Sequence, residues 1–379
     1  MKSKHCLLIA ALVIMCSSFI VTRHDTKDEE YIVYGRRGFE SLAVFEDGNG
    51  TLIDEQWVLT ARHIADNQKP GSIVAINGAE FKVEEVVLYP QKPTDDLFEK
   101  KDLGLIKLNQ KVKGVAPVKC IKKSPKIGSI LYLAGNGDMG NGKTGPILQD
   151  KKIRAATNTL DSLKDHFISF VFDPPDSGKA TKLEGIPGPG DSGGPAYIKE
   201  NDVLVLAGVS SFELIENSQN QGRYGARNYY PNVSFFADWI ESTIKGEDYY
   251  KTNMDGKEIV SIKRVDGSYY LEIDGKKASK VEIMKYGEKV LKELQMVKTS
   301  STDDIIDVNN PIIVFRKYIE NVSGFNDVNK VGGFKLDKYE LRVGDKTMPT
   351  KIKDQAIKKF EELFGRPLGN NQINAKPSN

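Results

Sequence analysis

A glycine-rich segment over residues 188–195 contains the side chain best suited to act as a nucleophile. Its sequence is Gly-Pro-Gly-Asp-Ser-Gly-Gly-Pro, so Ser192 has little side-chain bulk around it. A serine hydroxyl is a poor nucleophile at its own pKa. It needs a general base, a carboxylate that orients the base, and donors for the oxyanion that develops. Glycine allows the backbone amides of Gly190 and Ser192 to point toward a carbonyl oxygen and act as those donors.

The general base has to come from four histidines, and one of them lies in a suitable setting. His5 belongs to an apolar N-terminal segment, His24 follows that segment, and His166 lies in a stretch that offers no supporting pattern. His63 ends two apolar runs around a turn, over residues 50–63, which would deliver its imidazole from the end of a strand. We therefore predict that His63 is the base, although a single histidine is more often a surface or core residue.

The orienting carboxylate is predicted to be Asp102. It begins the segment Asp-Leu-Gly-Leu-Ile-Lys-Leu over residues 102–108, which has the pattern of a buried strand. Removal from water strengthens the attraction between a carboxylate and an imidazolium, so a carboxylate at the head of such a strand is well placed for this role. Asp95 and Asp96, in a loop that contains proline and threonine, are the alternatives.

These segments resemble the motifs of the trypsin-like (chymotrypsin-fold) serine proteases. Residues 57–63 are similar to the histidine motif, residues 102–108 to the aspartate motif and residues 190–195 to the serine motif. The order His, Asp, Ser is that family's order and differs from the orders in subtilisin-like and α/β-hydrolase enzymes. Three further segments are similar to parts of the family. Residues 135–137 resemble its Gly-Trp-Gly turn, residues 208–212 its substrate-binding strand and residues 236–240 its closing helix.

The resemblance implies a fold and an activity for residues 20–245. The fold would be all-β, with two six-stranded antiparallel β-barrels and a C-terminal helix. The activity would be that of a serine endopeptidase, with His63, Asp102 and Ser192 as the catalytic triad and the amides of Gly190 and Ser192 as the oxyanion hole. Two alternatives are a catalytically silent binding protein, with Arg62 or the C-terminal module blocking the cleft, and an esterase-like hydrolase with the same triad.

The candidate substrate pocket departs from that of the trypsins. Six residues before the serine the trypsins have an aspartate that selects basic side chains, whereas this chain has Ile186. The other candidate pocket residues, Ser211, Phe212 and Glu213, lie in or just after the segment that resembles the substrate-binding strand. An apolar floor favours an apolar or aromatic substrate side chain, although Glu213 would add negative charge to the wall.

The resemblance also implies an ion pair that orders the oxyanion loop. In the family, a buried N-terminal amine pairs with the aspartate before the serine, which here is Asp191. The number of residues between Ile20 and His63 is close to the number usual in the family. We therefore expect removal of the signal peptide to expose the Ile20 amine. Ile32 begins an Ile-Val-x-Gly sequence of the family's type and is the alternative start. A third possibility is an uncleaved chain in which another hydrogen bond satisfies Asp191.

Residues 1–19 have the pattern of a secretory signal peptide. A basic start is followed by about ten apolar residues from Cys6 to Met15 and then by small residues. We therefore expect a secreted or periplasmic protein, with a retained N-terminal anchor as the alternative. Only Cys120 would remain in the mature chain, so no intramolecular disulfide is expected. Ile64 accordingly stands where the family has a cysteine after the histidine.

Composition limits the classes of partner. The formal net charge of +2 argues against nucleic acid as the main partner. Residues 137–144 match the phosphate-loop pattern, but Gly145 and Pro146 follow directly and would break the helix that such a loop requires. We interpret this segment as a hairpin loop and expect no nucleotide. No metal-binding spacing occurs, so no metal or cofactor is expected.

Short apolar runs separated by turn-forming residues predict β-strands up to about residue 245. The clearest runs are 41–45, 71–76, 82–88 and 203–207, and residues 234–245 predict a closing helix with Phe235 and Trp239 on one face. Residues 250–379 are rich in Lys and Asp and predict a small mixed α/β module, with hairpin turns at 266–267 and 274–275 and a helix over 351–364. Substrate recruitment, surface attachment and inhibition of the cleft are all compatible with the composition of this module.

Overall fold

The computed structural model describes residues 20–293, 342–343 and 346–347, except for 92–93, 95, 149, 215–220, 264, 266–268, 280, 284, 288 and 291–292. The predicted signal over 1–19 and the predicted helix over 351–364 lie outside the described residues. Two compact units divide the chain. The first lies within Met1–Leu88 and Asp102–Ala237, and the second within Tyr89–Lys101 and Asp238–Asn379.

The first unit begins with two short elements and continues into a closed barrel. Strand β1 (Val21–Thr22) is followed by helix α1 (Asp28–Gly35). The barrel has the strand order β2-β3-β4-β7-β6-β5, and helix α2 (Arg62–Ala65) follows β4. Its strands are β2 (Leu42–Val44), β3 (Asn49–Asp54), β4 (Trp57–Thr60), β5 (Ile73–Ile76), β6 (Ala79–Leu88) and β7 (Gly104–Leu108).

The barrel follows from strands rich in branched apolar residues and from its turn residues. Leu52, Val58 and Ile106 lie side by side on one face of β3, β4 and β7 and are fully buried, so branched side chains pack on that face. The β5–β6 turn uses Asn77 and Gly78, which have φ of 48° and 78°. Positive φ at both positions is the geometry of a tight hairpin turn and favours these two residue types.

The second half of this unit contains eleven further strands, which form three four-stranded sheets that include β1. The sheet orders are β10-β9-β1-β14, β11-β8-β15-β16 and β12-β13-β18-β17. The strands are β8 (Ile130–Gly135), β9 (Met139–Asn141), β10 (Gly145–Leu148), β11 (Arg154–Thr159), β12 (Ser162–Lys164), β13 (Phe167–Val171), β14 (Gly185–Ile186), β15 (Pro195–Glu200), β16 (Val203–Val209), β17 (Phe212–Leu214) and β18 (Arg227–Pro231). The predicted β-rich, chymotrypsin-like fold is confirmed with one closed barrel, whereas closure of the second barrel stays a prediction.

The segment that matches the phosphate-loop pattern forms a β-hairpin. Strands β9 and β10 pair antiparallel, and Gly145 at the start of β10 has a φ of 71°. No helix begins at residues 143–144, so the backbone amides needed to bind a phosphate group are not gathered at a helix N-terminus. The hairpin interpretation is therefore confirmed.

The predicted closing helix is present in two parts. A 3-10 helix (Val233–Phe236) is capped by Asn232, whose side chain accepts a hydrogen bond from the Ser234 amide, and α3 (Ala237–Ile244) follows. Trp239 is 2% exposed as expected, but Phe235 is 44% exposed and its neighbour Phe236 is 1% exposed. The tighter 3-10 turn rotates the start of the segment, so Phe236 becomes the buried aromatic residue.

The second unit contains a small antiparallel sheet of order β19-β20-β21-β22. Asp255 with Gly256 and Asp274 with Gly275 have positive φ in the β19–β20 and β21–β22 turns, so the hairpin predicted at 274–275 is present. Helical residues lie at 281–283, 285–287 and 289–290. The strands are β19 (Asp248–Met254), β20 (Lys257–Lys263), β21 (Tyr269–Ile273) and β22 (Lys276–Lys277), and β23 (Arg342–Val343) pairs with β24 (Lys346–Thr347).

Among the described residues, none of the helices combines the length and the apolar composition needed to cross a bilayer.

Candidate active site

Pairing of β4 with β7 brings His63 and Asp102 together. Thr60 pairs with Gly104 at one end of these antiparallel strands. His63 lies three residues beyond Thr60, in the short helix α2 and not in the strand itself, and Asp102 lies two residues before Gly104. A Cβ on Gly104 would lie 2.5 Å from the Cβ of Ala65, so glycine is needed for α2 to pack this closely on β7.

The imidazole of His63 contacts the carboxylate of Asp102. His63 Nδ1 lies 2.8 Å from Asp102 Oδ2 and 3.1 Å from Oδ1, and the His63 backbone amide donates to Oδ1 at 3.0 Å. A carboxylate only accepts hydrogen bonds, so Nδ1 carries the proton and Nε2 of a neutral ring is left with a lone pair. The His63 side chain is 45% exposed and that of Asp102 is 13% exposed, so the ring faces solvent and the carboxylate lies behind it.

Asp102 remains ionised although it is largely buried. Burial alone would raise its pKa, but the charge of His63 and hydrogen bonds from the His63 ring, the Ser211 hydroxyl and the His63 amide together hold the pKa of Asp102 below its usual value. The Ser211 hydroxyl donates to Asp102 Oδ2 at 2.5 Å. Ser211, predicted as a pocket residue, is therefore a direct partner of the carboxylate.

The turn that contains Ser192 depends on glycine. Gly190 and Gly193 have φ of 74° and 77°, which disfavours any other residue at either position. A Cβ on Gly193 would lie 2.1 Å from Thr60 Oγ1 and 3.1 Å from the amide nitrogen of Ala61. Since Ala61 lies two residues before His63, the serine turn abuts the segment that leads to the histidine.

Hydrogen bonds attach the serine turn to the strands on both sides. The Gly193 amide donates to the Ser210 carbonyl at 2.8 Å, and the Ser210 amide donates to the Gly194 carbonyl at 2.8 Å. The Ser192 carbonyl accepts from the Asn49 amide of β3 at 2.8 Å, and the Gly190 carbonyl accepts from the Asn49 side chain at 2.8 Å. The backbone of the turn is thus tied to the barrel and to the strand that precedes Ser211.

Ile64 follows His63 and stands where the family has a cysteine. In place of a disulfide, Ile64 packs against Gly48. A Cβ on Gly48 would lie 2.7 Å from Ile64 Cδ1 and 2.8 Å from the Ser192 carbonyl oxygen. Ile64 is 3% exposed. A close glycine–isoleucine contact therefore anchors α2 at this point by packing. Cys120, the cysteine among the described residues, is free, and burial raises the pKa of its thiol to about 12.

Asp191 is buried beneath the serine turn. Its Oδ1 accepts from the Gly137 amide at 3.0 Å and its Oδ2 from the Gly188 amide at 3.1 Å. Burial raises the pKa of Asp191 to about 7, against the lowering effect of those two amides. A Cβ on Gly135 would lie 1.9 Å from Asp191 Oδ1, which explains the glycine at the end of β8.

The segment that starts at Ile20 lies in the same region as Asp191. Ile20 is 1% exposed and Val21 is fully buried. Val21 pairs with Ile186 of β14 on one side and with Gly140 of β9 on the other. Gly140 lies three residues after Gly137, and Ile186 lies two residues before Gly188, so β1 runs between the two segments whose amides bind Asp191.

The alternative start at Ile32 lies within helix α1. Tyr31 is fully buried and donates from its hydroxyl to the Glu184 carbonyl at 2.9 Å, and Ile32 is 5% exposed. A chain that began at Ile32 would lose the first turn of α1, together with the Tyr31 contact. A start at Ile32 would therefore remove residues that are packed in the full chain, and the mature start stays a prediction.

The predicted pocket residues lie in different environments. Ile186 is fully buried. Phe212 stacks on Tyr229 with ring centroids 5.0 Å apart. The Glu213 carboxylate accepts from the Gly222 amide at 3.0 Å, and burial raises the pKa of Glu213 to about 7 in spite of that bond. Glu213 is thus part-buried and hydrogen-bonded to the backbone at Gly222.

The other candidates from the sequence have separate contacts. His24 Nδ1 lies 2.8 Å from the Tyr224 hydroxyl, and His166 is 3% exposed and packs against Phe167. Asp95 lies outside the described residues. In the part of the chain that the structure describes, no group of three or more His, Cys, Asp and Glu side chains could hold a metal ion.

Sequence reasoning missed the two polar side chains that support the site, Ser211 on Asp102 and Asn49 on the serine turn. Both are small polar residues at strand ends, since Asn49 begins β3 and Ser211 follows β16. Such residues are usually buried only with hydrogen-bond partners, so their position marked them as partners of something. The identity of the partner depended on contacts between segments that are distant in sequence.

Comparison with known proteins identifies the class. The family model described as Trypsin matches residues 37–240. The chain is 29% identical over 219 residues to platelet-aggregating proteinase PA-BJ of Bothrops jararaca, covering 52% of this chain and 84% of that protein. It is 28% identical over 217 residues to chymotrypsin-like elastase family member 1 of Homo sapiens, covering 52% of this chain and 80% of that protein. The solved structure of neuropsin, a serine protease expressed in the limbic system of mouse brain, aligns at 20% identity with a TM-score of 0.43, covering 54% of this chain and 95% of that one.

The closed barrel, the strand-rich second half and the matched family model define a chymotrypsin-fold serine protease. Because the family model spans more than half of the 379 residues, the chain belongs to the trypsin family. It is a serine-type endopeptidase, a hydrolase whose substrates are proteins or peptides.

Proposed function

We propose that this protein is an exported serine endopeptidase that cleaves peptide bonds through a triad of His63, Asp102 and Ser192. The observation that carries the proposal is the contact of 2.8 Å between His63 Nδ1 and Asp102 Oδ2. It supports a general-base role because a proton on Nδ1 leaves the acceptor lone pair of the neutral imidazole on Nε2. The adjacency of Gly193 to Ala61 supports a nucleophile within reach of that nitrogen.

In the proposed mechanism, His63 Nε2 takes the proton from Ser192 Oγ as that oxygen bonds to the substrate carbonyl carbon. The carbonyl oxygen becomes an oxyanion and is bound by the amides of Gly190 and Ser192. His63 then gives its proton to the leaving amine, the C–N bond breaks, and an acyl-enzyme on Ser192 remains. Water then attacks the acyl carbon with His63 as its base. The bond to Ser192 Oγ breaks, His63 returns the proton to that oxygen, and the carboxylic acid product leaves. Asp102 stays ionised and stabilises the imidazolium that forms twice in each cycle.

The pocket residues support a preference for apolar substrate side chains. Phe212 provides an aromatic wall that stacking on Tyr229 holds in place. Ile186 contributes no charge, unlike an aspartate at the same position. Glu213 is the charged candidate, and its raised pKa together with its bond to Gly222 reduces the charge that it offers to a substrate at neutral pH.

Export and activation form the second part of the proposal. Removal of residues 1–19 would expose an ammonium group at Ile20. The burial of Ile20 and the position of β1 between the segments of Gly137 and Gly188 support a pairing of this group with Asp191. Opposite charges in a buried site would restore full ionisation of Asp191 and tie the serine turn to β1.

The test combines labelling of Ser192 with a substitution. The secreted protein should react with a fluorophosphonate at Ser192, and N-terminal sequencing should give Ile20 as the first residue. Ser192→Ala should abolish labelling and lower the rate of casein hydrolysis by roughly 10⁴-fold or more, with an unchanged circular dichroism spectrum. Ser210→Ala, a neighbouring serine outside the proposed triad, is the matched control for labelling. Undiminished proteolysis by the Ser192→Ala variant would exclude the mechanism.

A further inference from the structure

Asn49 lies directly behind the serine turn and is completely buried. It is the first residue of β3. Its backbone amide donates to the Ser192 carbonyl at 2.8 Å, and its side-chain Nδ2 donates to the Gly190 carbonyl at 2.8 Å. Its own carbonyl accepts from Thr60 Oγ1 at 2.6 Å. One residue of the barrel therefore holds the carbonyls of both residues whose amides are proposed to bind the oxyanion.

The orientation of the Asn49 amide follows from its partner. A backbone carbonyl can only accept, so the atom that faces the Gly190 oxygen must be the NH₂ group. The Asn49 Oδ1 atom then points away, and none of the described residues offers it a hydrogen bond. A buried polar atom without a partner destabilises the folded state, and a smaller apolar side chain would not incur this cost. Such a side chain would, however, lack the hydrogen bond from Nδ2 to the Gly190 carbonyl.

We propose that Asn49 is a positioning residue for the oxyanion hole. Gly190 has a φ of 74°, in a region that glycine enters freely, so its own backbone does little to hold its orientation. The Asn49 side chain fixes the carbonyl of Gly190, in the peptide unit that lies between the two donor amides. Its backbone fixes the carbonyl of Ser192, in the peptide unit that follows the second donor. Donors that are already aimed at the oxyanion need not reorganise during the reaction, and small misplacements of such groups are costly in rate.

This inference rests on the proposed function, because it concerns the same oxyanion hole. It also differs from a purely structural role. If Asn49 served only to join β3 to the serine turn, its loss would lower stability but leave the rate per folded molecule unchanged. If Asn49 aims the Gly190 and Ser192 amides, its loss lowers the chemical rate, with little effect on the binding of an uncharged ester in the ground state.

The experiment uses the full secreted chain and measures the rate of fluorophosphonate labelling, the kcat and KM for a p-nitrophenyl ester, and the midpoint of thermal unfolding. Asn49→Ala removes the side-chain donor and keeps the backbone bond to Ser192. Asn49→Ser is a second variant, whose shorter hydroxyl does not reach the Gly190 carbonyl and which covers the case in which the alanine variant fails to fold. Asn232→Ala is the matched control, because Asn232 is 4% exposed and caps the 3-10 helix with its side chain.

We expect both Asn49 variants to show labelling rates and kcat values roughly 10- to 100-fold below wild type per folded molecule, with KM changed by less than about threefold. Asn232→Ala should unfold at a lower temperature and keep the wild-type rates. Wild-type labelling together with unchanged rates in the Asn49 variants would overturn this inference and leave the proposed function standing. Equal losses in the Asn49 and Asn232 variants would also overturn it, since they would indicate general loosening. Absence of labelling in the wild-type protein would overturn the proposed function and this inference with it.

Discussion

Asp102 receives three hydrogen bonds, two from His63 and one from the Ser211 hydroxyl. Each of them favours the ionised carboxylate, and together with the His63 charge they outweigh the effect of burial on its pKa. The Ser211 contact of 2.5 Å is the shortest of the three. A hydrogen bond from a hydroxyl to a charged group in a part-buried site contributes more than one between neutral groups.

Ser211→Ala should therefore lower kcat/KM by roughly 5- to 30-fold, which corresponds to a loss of about 1–2 kcal/mol. The carboxylate loses a donor, so the pKa of Asp102 should move upward and its hold on the His63 ring should loosen. Steady-state kinetics with a peptide or ester substrate would measure the change. Ser162→Ala is the control, because the Ser162 hydroxyl bonds to Ser169 within β12 and β13. Equal kinetics for the Ser211 variant and the wild type would contradict this role.

Helix α1 precedes the matched family region and is held by an ion pair. The Arg154 side chain is 0% exposed and makes paired contacts with Asp28 at 2.6 and 2.7 Å and with Asp150 at 2.9 Å. Gly35, at the end of α1, packs on the backbone of Arg154, where an added Cβ would come within 2.9 Å of the carbonyl carbon. The amphipathic pattern of α1 alone does not predict this docking, since only Tyr31, Ile32 and Gly35 of the helix are buried.

Asp28→Asn should lower the free energy of unfolding by about 1–2 kcal/mol, measured by urea denaturation at pH 7. This value is below that of a fully buried pair, because the Asp28 side chain is 35% exposed and partly screened by water. Glu55→Gln is the matched control, since Glu55 pairs with Lys111 at the surface and its loss should change stability little. If both substitutions had the same effect, α1 would not depend on the buried arginine.

The stability of the full chain and that of a chain beginning at Ile20 should depend on pH in different ways. Burial raises the pKa of Asp191 to about 7 in the full chain, against an ordinary value of 3.8. An acid with a higher pKa in the folded state than in the unfolded state makes the fold less stable as the pH rises between those values. A shift of this size corresponds to a loss on the order of 4 kcal/mol. An ammonium group at Ile20 would reverse it, because the ionised carboxylate would then have a partner.

A chain that begins at Ile20 should be more stable and more active at pH 7.5 than the same chain with one added alanine before Ile20. The difference in stability should be several kcal/mol at pH 7.5 and should shrink as the pH falls from about 7 toward 4, because Asp191 of the alanine-extended chain is then protonated and no longer a buried charge without a partner. It should also shrink as the pH rises above about 8, the ordinary pKa of an α-amino group, because the amine of the unfolded chain then loses its proton. Urea denaturation across this pH range measures the decrease on the acidic side and the decrease on the alkaline side. Superimposable plots of stability against pH for the two chains would argue against the ion pair.

A large part of the fold was predictable from local pattern. The runs at 41–45, 71–76, 82–88 and 203–207 coincide with β2, β5, β6 and β16, because alternation and branched side chains report a half-buried strand. The β9–β10 hairpin and the turn at Asp274 and Gly275 were predictable from residues that accept a positive φ. Docking of α1 and the exposure of Phe235 were not, because each depends on which surface a distant segment covers.

Three short motifs in a fixed order were enough to assign the family, since they specify side-chain chemistry that few arrangements can use. The histidine and aspartate motifs also predicted the pairing of His63 with Asp102, whereas the pairing of β4 with β7 that positions both residues is a finding of the structure. Three contacts became evident from the folded chain alone. Ser211 donates to Asp102, Asn49 holds the serine turn, and the segment after Ile20 runs between Gly140 and Ile186. The physical reason is that a hydrogen bond between segments far apart in sequence depends on distance and direction in space, and neither is recorded in the local pattern of the residues that make it.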